Sequence, residues 1–113
     1  MTKLETLAAE VVAEAFPNLK SDSPRYGLDW AAIVAIVIQV LQQCEFSIQE
    51  MAERGVNLSR WDKLRISLAV RKSDFRRRDR RRVTLAFCNC SERQSKETLV
   101  EVLNEANEFS LAG

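Results

Sequence analysis

No proline and no glycine occurs between Val56 and Ala112. These two residues supply the breaks and the unusual backbone angles that chain reversals need. A stretch this long without them suits long helices and is poorly suited to a succession of short strands. Pro17, Pro24, Gly27 and Gly55 place all the internal breaks in the first half. The expectation is an all-α fold, a compact bundle of four to five helices, with residues 1–113 forming one domain. At 113 residues and 46% hydrophobic content, such a domain can close a core without disulfides or metals.

The helices are read from apolar spacing. Over residues 3–16, Leu4, Leu7, Ala8, Val11 and Ala15 share one face, and Glu5, Glu10 and Glu14 lie off it. Pro17 ends this helix by pushing its predecessor out of the helical region. Asp29 reads as an N-cap, with Leu28 and Ile33 at the positions of a hydrophobic staple. Residues 30–41 are apolar on nearly every face, the mark of a central core helix or an oligomer interface. Their β-branched content leaves a central strand open, but the cap and the continuation through Cys44, Ile48 and Met51 favour helix. Ser47 to Glu50 fits a capping box, and Gly55 reads as a stop. Ser59-Arg60-Trp61-Asp62 starts another helix, with Trp61, Leu64 and Leu68 as its stripe. A last helix runs from Ser91 or Ser95 to Phe109, with Leu99, Val102, Leu103 and Ala106 inside and Glu97, Glu101, Glu105 and Glu108 outside. Residues 83–90 leave a strand open.

The net charge of +1 conceals a strong asymmetry. Residues 54–82 hold twelve basic and three acidic side chains, a local +9, and the remainder sums to −8. The densest part, residues 71–82, reads Arg-Lys-Ser-Asp-Phe-Arg-Arg-Arg-Asp-Arg-Arg-Arg. On a helical wheel its basic residues cover the whole circumference, and only Phe75 offers an apolar contact. A helix that polar cannot lay a face on a core, so the segment is expected to project into solvent, to be a loop, or to be ordered by a partner. The candidate binding residues are Arg71, Lys72, Arg76, Arg77, Arg78, Arg80, Arg81 and Arg82. The planar guanidinium fork grips phosphate or carboxylate bidentately, which points to sequence-independent nucleic-acid contact, as in a small regulator or packaging factor. Two other readings compete. One is a solvated helix held by local pairs such as Asp74 to Arg78. The other is an assembly or adaptor protein whose arginines meet acidic helices of a neighbouring chain. The location of the negative charge separates them: acidic helices beside the arginines would cancel their field.

Residues 47–68 resemble helix–turn–helix composition at Ala52, Gly55, Val56, Trp61 and Leu64. The spacing from Ala52 to Gly55 is one residue short, which favours an ordinary packing unit over a DNA-reading one. Cys88-Asn89-Cys90 is half of a metal motif at most, because the chain has no histidine and a third cysteine only at Cys44. The missing histidine also removes the usual general base, and no glycine-rich phosphate loop exists, so no enzyme activity and no cofactor is expected. Three cysteines, an odd number, and an amphipathic opening segment suggest a reducing, cytoplasmic setting. The longest apolar stretch is too short to span a bilayer, so no membrane role is expected.

Overall fold

A computed structural model describes residues 2–17, 30–44, 46, 50, 53 and 57–112. Among these are five α-helices, one 3₁₀ turn and no strand: α1 (Lys3–Ala15), α2 (Trp30–Cys44), α3 (Arg60–Lys72), the turn Arg77–Asp79, α4 (Arg80–Glu92) and α5 (Lys96–Ala112). The expected all-α bundle is what forms. The cap at Asp29, the Leu28 staple, the box at Ser47 and the stop at Gly55 lie outside the described residues.

Local signals set the helix ends. Thr2 and Glu5 form a reciprocal capping box at the start of α1, and Phe16 closes its end by donating its N–H to the Val12 carbonyl. Ser59 and Asp62 form the same box on α3: the Ser59 N–H donates to Asp62 Oδ2 at 2.8 Å, and the Asp62 N–H donates to Ser59 Oγ at 3.1 Å. Each box satisfies amides that have no partner inside the helix. Of the two starts open for the last helix, Ser95 is the one used, its Oγ accepting from the Thr98 N–H at 3.1 Å. Ser91 lies inside α4 and is buried.

The core follows the apolar stripes. Leu4, Leu7, Ala8, Val11 and Val12 of α1 are buried, as are Ile33, Val37, Val40 and Leu41 of α2. Among residues 31–44 of α2, those exposed are Ala31, Ala35, Gln39 and Gln43, four apart, so this very apolar helix is a core element with one narrow solvent edge there. Residues 83–90 are helix and not strand: Val83, Ala86, Phe87 and Cys90 follow the i, i+3, i+4, i+7 pattern and are buried. The helices α1, α2, α3 and α4 pack in a closed ring, each on the next, and α5 lies over α1 and α2. Glu105 of α5 accepts from the Leu4 N–H at 2.9 Å, so an acidic side chain from one helix caps the start of another.

One stripe faces the other way from a packing stripe. Trp61, Leu64 and Leu68 of α3 are exposed, and the buried side of that helix is Ile66, Ala69 and Val70 with Asp62. The buried side of α3 carries small and β-branched residues, and the bulkier stripe is left outside.

Candidate functional site

The arginine segment is not one helix. Arg71 and Lys72 form the last turn of α3, where positive charge complements the carbonyl end of the helix. Ser73 closes that end by donating its hydroxyl to the Ala69 carbonyl at 2.8 Å. Phe75 then turns inward. It is buried and stacks on Phe16 of α1 with ring centroids 6.3 Å apart. The 3₁₀ turn follows, with the Asp79 N–H donating to the Arg76 carbonyl at 2.9 Å, and Arg80, Arg81 and Arg82 open α4. The expectation of a segment unable to pack assumed one continuous helix. The break at Ser73 and Asp74 removes that assumption and lets Phe75 and Asp79 point inward together.

The eight candidate residues separate into groups. Arg71 from α3, Arg77 from the 3₁₀ turn, and Arg80 and Arg81 from α4 line one open groove with Ser67, Thr84 and Leu85, about 390 Å³ in volume. Lys72 lies on the other flank of α3, in a smaller hollow with Gln43, Arg65 and Leu68. Arg82 sits 5.9 Å above the Phe16 ring and pairs with Asp79 at 3.6 Å. Arg76 and Arg78 are exposed on the turn between Phe75 and Asp79. The local ion pair within this segment is Asp79 with Arg82, and not the Asp74 with Arg78 that the solvated-helix reading offered as an example.

Asp79 is buried, its Oδ2 has no hydrogen-bond partner, and neither does Arg80 Nε beside it in sequence. Asp79 occupies the cap position of α4 but makes no side-chain cap, so α4 begins with three cations at its positive end. The Asp79 and Arg80 N–H groups donate to the Arg76 and Arg77 carbonyls, so the guanidinium groups are what present positive charge to the groove.

Four of the described glutamates bond to residues outside the groove. Glu101 pairs with Lys3 and Glu105 caps α1. Glu14 accepts from Arg93 and Asn89, and Glu10 accepts from Gln94, all at the far end of α4. Arg80 and Glu92 are twelve residues apart on one helix, roughly 18 Å. Glu10 and Glu14 thus bond at the end of α4 opposite the groove, and Asp79 is the carboxylate paired within the arginine segment.

Sequence reasoning missed Ser67, Thr84 and Leu85 as groove walls, and missed Trp61 as a surface residue. The spacing Phe75, Asp79, Val83, Phe87 carried a signal: one residue in four along a single face, running through the arginines into the core stripe. The three thiols are free and buried. Burial pushes the Cys44 thiol up to about 12 and the Cys90 thiol up to about 11, and raises Cys88 as well. Among the described residues no cluster of three or more His, Cys, Asp or Glu is placed to hold a metal ion, and no helix is long and apolar enough to cross a membrane. No family, no curated protein and no solved structure matches this chain, so the groove is interpreted from its own geometry.

Proposed function

We propose that the protein is a non-enzymatic nucleic-acid-associated protein that grips the phosphate backbone in the groove between α3 and α4. The observation that carries this reading is the convergence of Arg71, Arg77, Arg80 and Arg81 on one open concavity at the start of a helix. Guanidinium forks suit the phosphates of an anionic polymer, and phosphate contacts do not read base identity. The protein would act in the cytoplasm, where its three free, buried thiols fit a reducing setting.

Salt titration tests this. Each phosphate neutralised steepens the fall of log affinity with log salt by ~0.9 for duplex DNA and ~0.7 for a single strand. The combined variant Arg77→Gln, Arg80→Gln, Arg81→Gln should flatten the slope by about two to three units for duplex. An unchanged slope removes the groove from the contact surface.

The second reading is an oligomeric assembly or adaptor protein whose basic segment meets acidic helices of a neighbouring chain. Leu85, 54% exposed at the edge of the groove, favours it. That reading predicts negligible nucleic-acid binding and an altered particle size in the same triple variant, measured by light scattering.

A further inference from the structure

We infer that the nucleic acid bound is single-stranded and that Trp61 stacks on its bases, an assignment that rests on the phosphate-binding reading above. Trp61 is 71% exposed, an unusual position for the side chain with the largest apolar surface. It does not stand alone. Trp61, Leu64 and Leu68 follow i, i+3 and i+7, which puts them on one outward strip of α3. Exposed cations interleave with this strip: Arg60, Lys63, Arg65, Arg71 and Lys72 all belong to the same helix.

The surface next to Trp61 is concave. Arg60, Trp61, Lys63 and Leu64 line a hollow of about 520 Å³. It offers an aromatic and an aliphatic wall with two cations at the rim, a pairing that accepts a planar base and its phosphate. Lys63 Nζ lies 3.9 Å from Glu92, at the outer limit of an ion pair between partly exposed groups, and remains able to turn toward a phosphate. Ten residues of helix separate Trp61 from Arg71 in the arginine groove, roughly 15 Å. One strand following α3 would place bases on the apolar strip and phosphates on the cations at both ends.

Charge and chemistry select this occupant. A second copy docked strip to strip would bring the cations of one α3, among them Arg60, Arg65, Arg71 and Lys72, against those of the other, and like charges oppose that contact. A duplex keeps its base faces stacked inside, where Trp61 cannot reach them. A single strand offers free base faces and phosphates together, the combination that stacking platforms in cationic channels recognise.

The test measures anisotropy of a labelled oligo-dT strand and of the same strand annealed to its complement, with wild type, Trp61→Ala and Trp61→Phe. Trp61→Ala should weaken single-strand binding by roughly 5- to 100-fold and leave duplex binding within about twofold. Trp61→Phe should restore most of the loss. Because Trp61 is exposed, melting of Trp61→Ala followed by circular dichroism should shift by no more than ~2 °C. Single-strand affinity unchanged in Trp61→Ala, with a normal salt slope, overturns the stacking assignment and leaves the phosphate reading standing. No binding of either oligonucleotide overturns both. A wild-type dimer that Trp61→Ala converts to monomer assigns the strip to a second copy and also overturns the proposal.

Discussion

At its C-terminal end α4 meets α1 through answering groups. Arg93 and Asn89 donate to Glu14, and Gln94 donates to Glu10. The Glu14 hydrogen bond holds the Arg93 guanidinium still further toward its charged form, and the positive side chain stands at the carbonyl end of the helix, where the backbone favours it. At its N-terminal end the same helix begins with Arg80, Arg81 and Arg82, has no side-chain cap, and leaves Asp79 Oδ2 without a hydrogen bond. Arg93, just past the C-terminal end, follows the electrostatic preference of the helix, and the arginines of the first turn oppose it. Of the three cations at this end, Arg82 is answered by Asp79 and the Phe16 ring, and Arg80 and Arg81 border the open groove.

The largest expected effect tests what holds the arginine end in place. Phe75 is buried against Phe16, and Phe75→Ala should lower unfolding free energy by about 3–5 kcal/mol. Chemical denaturation measures it, and a loss below about 1 kcal/mol would mean that the turn is not anchored through this ring.

The next effect belongs to two buried thiols, Cys90 near the C-terminal end of α4 and Cys44 at the end of α2. Cys90 and Cys44 keep their protons to about pH 11 and 12 when folded, and the ordinary value is 9.0. Above pH 9 the unfolded chain loses these protons first, so the native state binds more protons and stability falls as pH rises. The thiol contribution is intact below pH 9 and is lost as pH passes through 11 and 12. The steepest decline is about 1.4 kcal/mol per pH unit for each group. Urea midpoints at pH 8, 9.5 and 10.5 should show the decline, and Cys44→Ala with Cys90→Ala should flatten it. An equal decline in that variant would assign the alkaline sensitivity to other groups.

The smallest effect is the most diagnostic of the contrast. Arg80→Gln with Arg81→Gln should raise stability by about 0.3–1 kcal/mol per charge removed, because both cations stand at the positive end of α4. Arg93→Gln, at the other end, should lower melting temperature slightly and leave salt-dependent binding unchanged. If both changes move melting temperature in the same direction, the two ends are not electrostatically opposed.

Much of the fold was legible in the residues. The stripe of α1, the Ser59 and Asp62 box, and the stripe of α5 were each set by local chemistry, and each formed as read. The interior of residues 71–82 was not legible, because a wheel drawn through them assumes a continuity that Ser73 and Asp74 end. Phe75 looked like a lone apolar residue in a polar run, and only the packing of α1 beside it reveals Phe16 as its partner. On α3 two apolar stripes compete, and sequence alone does not say whether Trp61, Leu64 and Leu68 or Ile66, Ala69 and Val70 face inward. The choice depends on how closely α2 and α4 approach, a property of the assembled ring. The same ambiguity concealed Trp61 as a site residue.

The turn that carries Arg76, Arg77 and Arg78 is held at both sides, by buried Phe75 before it and buried Asp79 after it. Three residues between two fixed points have little backbone freedom left to lose. Ordering a free segment costs about 1–2 kcal/mol per residue, and here folding has already met that cost before any ligand arrives. A flexible arginine tail of the same composition would surrender that entropy at each encounter. This turn should therefore associate with a smaller entropic penalty than its composition implies, and calorimetry would register the difference between a rigid array and a tail.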